Sequence, residues 1–239
     1  MPVMIITGAT SGLGEALARH AISRGYTVLL TGRRIERLQV LKEEFGDAAR
    51  IGQLDVTEPE KAWSIIEQLI QEVGGVDVAV LNSGVSNFQG EFSPETEQWV
   101  IDVNVSGFMQ TANRFFSYFE ERGSGQLVGI SSVAGMFGYR ASTAYCASKA
   151  FVSNYLQGLR QRARWSKASI TVTDIRPGFV ESEMTEGKKG MFWLVPADYA
   201  AVRMLEAIEA KKTRAFVPRR WALIGLLITV TPNRLLDRL

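Results

Sequence analysis

The feature that most restricts what this chain can fold into is the alternation of short apolar runs with longer amphipathic stretches, kept up almost from end to end. Runs rich in β-branched residues and leucine occupy 3–7, 27–31, 51–54, 76–81, 126–130, 170–175 and 215–217. Between them, 13–24, 34–45, 58–73, 95–119, 144–164 and 197–210 read as helical patterns. Apolar strands separated by helices form βαβ units, whose crossovers force a parallel sheet covered on both faces. The prediction is therefore an α/β fold: a doubly wound parallel sheet in a three-layer α-β-α arrangement. There is no repeat, low-complexity tract or linker, so one domain is expected over 1–218, with 219–239 left as a tail.

Composition closes off several functions. With 46% hydrophobic and 22% charged residues over 239 positions, the chain has enough apolar surface for a large core. A net charge of +2 gives no argument for nucleic acid. The charge is unevenly placed, however: from Lys211 onward seven basic residues stand against one acid, which leaves the preceding body mildly acidic. Cys146 is the only cysteine, so no internal disulfide forms and no oxidising compartment is needed. No apolar stretch reaches the ~20 residues of a spanning helix. The expectation is a cytoplasmic protein.

Ligands of such sheets bind beyond the carboxyl ends of the strands. Directly after the first strand stands Thr7-Gly8-Ala9-Thr10-Ser11-Gly12-Leu13-Gly14, opening a helix. Glycines there allow a tight turn and let backbone N–H groups approach a pyrophosphate at the helix N-terminus, where the dipole is positive. The spacing Gly-x3-Gly-x-Gly, preceded by Thr7, resembles the short-chain dehydrogenase/reductase family, a Rossmann-type fold. Gly8, Thr10, Ser11, Gly12, Leu13 and Gly14 are thus the first candidate cofactor residues.

The end of the second strand distinguishes NAD from NADP. An acid there would accept hydrogen bonds from a ribose diol, but this chain has Thr31-Gly32-Arg33-Arg34. Two guanidiniums can pair with a 2′-phosphate, and arginine at a helix N-terminus is otherwise mildly unfavourable. Arg33 and Arg34 therefore point to NADP(H), with NAD(H) the weaker alternative. Ser11 stands where many NADP-using relatives carry a further basic residue.

The acid/base candidate is Tyr145-Cys146-Ala147-Ser148-Lys149. On a helix the phenol and ammonium at i and i+4 share one face. A free phenol titrates near ~10, and a neighbouring cation favours the phenolate. The family resemblance implies three further roles here. Ser132, thirteen residues before Tyr145, would hydrogen-bond the substrate oxygen. Asn104 would hold a water linking Lys149 to solvent, and Lys149 would also hold the nicotinamide ribose. The resemblance also implies that Asp55 and Val56 flank the adenine. Asn82 and Gly84 belong to the loop after the fourth strand, where Ser83 replaces the usual alanine. Pro177, Gly178, Val180 and Ser182 form the nicotinamide-side loop, Ser182 replacing a threonine. Tyr145 and Lys149 complete the cofactor set. No metal is expected.

The resemblance implies a carbonyl–alcohol oxidoreductase acting on a small molecule, and a homo-oligomer. An NADP-binding regulatory protein without catalysis would be expected to have lost Tyr145 or Lys149, and both are present. Isomerases and dehydratases among the extended relatives have longer chains and differently spaced glycines. Met184, Met191, Phe192 and Trp193, with Phe88, Phe137 and Tyr139, point to an apolar substrate. His20 and Cys146 read as packing or surface residues. The aromatic pairs Phe115-Phe116 and Tyr118-Phe119 read as packing against a helix or subunit.

The tail holds Trp221-Ala222-Leu223-Ile224-Gly225-Leu226-Leu227-Ile228-Thr229-Val230, apolar on every side and flanked by Arg219, Arg220 and Arg234. As a helix it is about 15 Å long, half a bilayer core. It must be covered. The basic flanks favour peripheral contact with a membrane, whereas the lack of a polar face favours burial against protein, which is the expectation.

Overall fold

Every apolar run becomes a strand of one parallel sheet. β1 (Val3–Thr7), β2 (Thr27–Gly32), β3 (Ala49–Gln53), β4 (Val78–Leu81), β5 (Ser124–Ile130), β6 (Ser169–Pro177) and β7 (Arg214–Val217) lie in the order β3-β2-β1-β4-β5-β6-β7. The computed structural model describes residues 1–87 and 92–236. Register is set by which face each side chain serves. Along β1, Met4 and Ile6 enter one core, with Leu17 of α1 (Gly12–Ser23), Leu38 of α2 (Ile35–Phe45) and Met204 of α7 (Ala197–Glu209). Ile5 enters the other, with Ile66 of α3 (Pro59–Val73), Phe115 of α5 (Phe108–Arg122) and Leu156 of α6 (Thr143–Trp165). A one-residue slip would exchange the two sets. The expected three layers are present, and the chain reverses direction across the sheet between β1 and β4, which opens a crevice there.

One expected element is divided. The helical stretch 95–119 comprises α4 (Pro94–Ile101), a π-helical segment Asp102–Gly107, and α5. Ser93 starts α4 with a capping box closed by Thr96, and Pro94 occupies the first turn. The wider turn carries Asn104 to a position 1% exposed, and inserted residues of this kind recur at functional sites. It also brings Gly107 against Val56: a β-carbon on Gly107 would stand 2.8 Å from the Val56 carbonyl oxygen. The aromatic pairs pack within the chain. Phe115, Phe116 and Phe119 are buried, and Trp63 meets the Phe115 ring edge-on at 5.2 Å.

The apolar run of the tail is a helix, α8 (Trp221–Val230), followed by a short α9 (Asn233–Leu236). The expected burial against protein holds for one face only. Trp221 and Gly225 are buried against the body, while Leu223, Leu226, Leu227 and Val230 remain exposed. The body reaches one side of the helix and stops. Among the described residues no helix is long and apolar enough to cross a membrane.

Candidate active site

The carboxyl ends of β1, β4, β5 and β6 deliver the site. At β1 the glycine loop turns into α1 with Gly8 at φ +68°, in the left-handed region. It is packed without spare room: a β-carbon on Gly14 would lie 2.3 Å from the Gly8 carbonyl oxygen and 2.5 Å from the Asn82 amide nitrogen. Asn82 fastens this arrangement, donating from its side-chain amide to the carbonyls of Thr7 and Gly8 at 3.1 and 3.0 Å. Thr7 returns the contact, its hydroxyl accepting from the backbone N–H of Asn82 and Ser83. Ser11 makes no side-chain cap on α1. The first-turn amides of α1 thus have no side-chain acceptor from Ser11, as an anion site at a helix N-terminus requires.

The arginines are the next layer. Arg34 lies across the loop, donating to the hydroxyls of Thr10 and Ser11 at 3.0 and 2.7 Å. Arg34 thus brings a guanidinium to Ser11. Arg37, one turn further along α2, donates to the Thr10 carbonyl at 3.3 Å. Both guanidiniums meet one carboxylate: Glu183 stands 2.8 Å from Arg34 and 2.5 Å from Arg37. These bonds hold the Glu183 carboxyl below its ordinary range, the Arg34 hydrogen bond contributing most. Arg33 lies 3.9 Å from Asp55 and is more than half exposed. Asp55 accepts from the backbone and hydroxyl of Thr57, so the turn reading of that residue also holds. Val56 is buried against Gly107.

The tetrad converges from three elements. Ser132, after β5, donates to the Pro177 carbonyl at 3.3 Å and shares a hydrogen bond with Tyr145. Lys149 is 6% exposed, donates to the Ile130 carbonyl at 2.9 Å, and lies 5.7 Å from the centre of the Tyr145 ring. Asn104 exchanges hydrogen bonds with both backbone groups of Val85 at 2.8 Å and donates to Ser148 at 3.0 Å. A β-carbon on Gly84 would come within 3.3 Å of the Lys149 nitrogen and 3.4 Å of the Asn104 oxygen, so that loop closes over the tetrad.

Burial decides the electrostatics. It pushes the Tyr145 phenol up to about 12, against the Ser132 hydrogen bond, which pulls it down. It pushes Lys149 down to about 8, with the fully buried Asp174 opposing. The expectation that Lys149 favours the phenolate of Tyr145 is thus outweighed by burial in this structure. Two desolvated groups each favour their neutral form.

On the nicotinamide side, Val180 is buried and bridges Val195, and Ser182 packs over Gly12. Gly178 donates its N–H to the Val217 carbonyl at 2.9 Å beneath the indole of Trp221. Of the expected substrate aromatics, Phe192 and Trp193 form a ring cluster with Phe179 and Trp221, Phe192 and Trp221 being 5.0 Å apart. Phe137 and Tyr139 pair at 6.3 Å, and Phe88 lies outside the described residues. His20 lies against Asp198, and Cys146 is buried with its thiol pushed up by desolvation.

Sequence reasoning missed Arg37, Ser148, Glu183 and Trp221 as neighbours of these groups. Arg37 was legible, standing one helical turn beyond Arg33 and Arg34. Glu183 was not, lying 149 positions from Arg34.

A glycine loop opening a helix and a tyrosine–lysine pair at the carboxyl edge of a parallel sheet are the arrangement of an NAD(P)-dependent oxidoreductase acting on CH–OH groups. The short chain dehydrogenase family profile matches residues 2–191. The chain is 36% identical over 242 residues to an uncharacterized oxidoreductase of Myxococcus xanthus, covering 98% of this chain and 94% of that one. It is 35% identical over 181 residues to the NADP-dependent 3-hydroxy acid dehydrogenase of Escherichia coli K12, covering 74% and 72%. Its fold matches the closed form of serine dehydrogenase complexed with NADP+ at a TM-score of 0.75 and 29% identity, over 86% and 88% of the two chains. This chain belongs to the short-chain dehydrogenase/reductase family.

Proposed function

We propose that the chain interconverts an apolar carbonyl compound and its alcohol with NADP(H), using Tyr145 as proton donor and acceptor. The observation that carries this reading is the meeting of buried Ser132 and Lys149 with half-buried Tyr145 in one cluster. The cofactor preference rests on Arg34 and Arg37, which clasp an anion beside the glycine loop, with no acid at the end of β2. The E. coli relative is by name NADP-dependent, which agrees.

The glycine loop fits a dinucleotide: a packed turn admits no β-carbon at Gly14, and the first-turn amides of α1 have no side-chain cap from Ser11. The amides of Gly12, Leu13 and Gly14 would hold the pyrophosphate. Arg34 and Arg37, with Arg33 and Asp55 further out, would hold the adenosine end. Asn82, Lys149 and the segment 177–182 would hold the nicotinamide end. When bound, the nicotinamide gives or takes the hydride. Tyr145, protonated throughout the neutral range, gives its proton to the carbonyl oxygen in reduction; in oxidation its phenolate, formed by loss of that proton, takes the proton of the alcohol. Ser132 holds that oxygen in line by a hydrogen bond. Lys149, when charged, steadies the phenolate that Tyr145 becomes. Asn104 does not bond Lys149 directly; its place is to hold the Val85 turn and Ser148 beside it.

The test is a panel of ketones, aldehydes, alcohols and 3-hydroxy acids followed by NADPH and NADH absorbance. Tyr145→Phe should lower kcat ~10²–10⁴-fold while leaving NADPH binding nearly intact. Retention of more than about a tenth of the wild-type kcat removes Tyr145 from the acid/base role. Equal kcat/KM for the two cofactors in the wild type removes the NADP assignment.

A further inference from the structure

We infer that the outward face of α8, with its arginine flanks, docks this protein on the surface of a bilayer carrying anionic lipid. A helix apolar on every side looks unsuited to lying on a membrane, because such helices ordinarily keep one polar face for water. The structure removes that objection, since the second face is occupied by the protein itself. Trp221 sits on Gly178, and a β-carbon on Gly225 would stand 2.9 Å from the Met136 sulfur. Ile224 and Ile228 are partly covered on the same side. The opposite side presents Leu223, Leu226, Leu227 and Val230, which are 66%, 63%, 58% and 68% exposed. The positions i, i+3, i+4 and i+7 form one stripe along the helix. No part of the described chain covers it.

Charge names the occupant. Between 219 and 236 there are three arginines, Arg219, Arg220 and Arg234, and no acid. They stand at both ends of the stripe, so an apolar centre has cationic ends, the complement of acyl chains under anionic headgroups. Aromatic side chains of the interfacial type adjoin it: Phe192 and Trp193 pack on Trp221 and remain partly exposed, with Arg220 stacked on Trp193 at 4.8 Å. A second copy fits less well. Two α8 stripes paired about a two-fold axis would oppose arginine to arginine whichever way they ran. A stripe set on a different patch of the next copy would leave its own stripe open, and the contact would propagate without closing. Because α8 is seated on the segment after Ser132 and on Gly178, docking brings the rim of the crevice to the lipid. That corollary depends on the oxidoreductase reading above, whereas the docking does not.

The experiment is co-sedimentation of the purified full chain with phosphatidylcholine vesicles, with and without phosphatidylglycerol, at low and high salt. Binding to the anionic vesicles alone, released by salt, is the expected result. Leu226→Ser with Leu227→Ser should weaken the vesicle partition at least about ten-fold, since both side chains leave water only on docking. Arg219→Gln should weaken it about five-fold. Thermal midpoint and NADPH binding should stay at wild-type values in both variants, because these side chains are exposed and outside the crevice. A wild type that remains in the supernatant with either vesicle overturns the inference, as does a leucine variant that sediments like the wild type. Should the leucine pair instead convert a larger species into a smaller one on size exclusion, without any vesicle binding, a second copy covers α8.

Discussion

Glu183→Gln tests the cofactor site in a way that no catalytic substitution can. The carboxylate of Glu183 sits between the guanidiniums of Arg34 and Arg37, the groups assigned to the 2′-phosphate of NADP(H). An incoming phosphate and this carboxylate compete for the same donors. Glu183 is 48% exposed and the two arginines 39% and 49%, so solvent screens both ion pairs. Exposed pairs contribute ~0.2–1 kcal/mol each, and the two together therefore cost the phosphate about 0.4–2 kcal/mol. The amide variant keeps the shape and deletes the charge. Its Kd for NADP+ should be ~2–30-fold lower than that of the wild type, at 1.4 kcal/mol for each factor of ten. NAD+, with no 2′-phosphate, should change by less than about two-fold, within the scatter of an exposed substitution. Calorimetry with NADP+, NAD+, 2′,5′-ADP and ADP separates the contributions without turnover, and added salt should narrow the gap between variant and wild type. If both nucleotides tighten equally, or NADP+ weakens, Glu183 does not compete with the phosphate. If wild type and variant alike fail to prefer 2′,5′-ADP over ADP, the assignment of the arginines to a phosphate fails instead.

Further outcomes follow from the same geometry. Lys149 is pushed down to about 8, so its charge is present below that value and lost as pH rises through it. The kcat/KM for carbonyl reduction should therefore fall above about pH 8 while Tyr145 stays protonated, and a profile flat to about pH 10 would count against this role for Lys149. Lys149→Met should damage both NADPH binding and rate, read from Kd and kcat; intact binding would remove Lys149 from the cofactor site. Gly14→Ala places a β-carbon 2.3 Å from the Gly8 carbonyl oxygen, so the loop must shift. Dinucleotide binding should be lost by calorimetry with the far-ultraviolet spectrum retained, and wild-type affinity in this variant would show that the loop does not cradle the pyrophosphate.

Much of the molecule is legible in the residues themselves because it depends on local periods and local chemistry. Apolar runs such as those at 3–7 and 27–31 have one outcome in an α/β chain, a buried parallel strand, and β1 and β2 appear there. The glycines at 8, 12 and 14 follow β1 directly, and the phenol and ammonium of Tyr145 and Lys149 are four residues apart on one helix. Both constellations are readable because sequence spacing alone sets their geometry.

What only the tertiary structure decides is every relation between distant segments and every effect of burial. The π-helical turn at Asp102–Gly107 arises where Gly107 meets Val56, fifty-one positions earlier, and no periodicity in 95–119 announces it. The clasp of Glu183 by Arg34 and Arg37 joins the start of α2 to the segment after β6, which meet only because β2 and β6 of one parallel sheet end at the same edge. Tyr145 and Lys149 have their proton affinities pulled toward neutrality of each group by desolvation, a property of the walls around them and not of their spacing. The tail shows the division most plainly. Its apolar run predicts a helix that must be covered, and residues 221–230 form one. Which side the body covers depends on where Gly178 and Met136 lie in space, and that leaves Leu223, Leu226, Leu227 and Val230 facing outward.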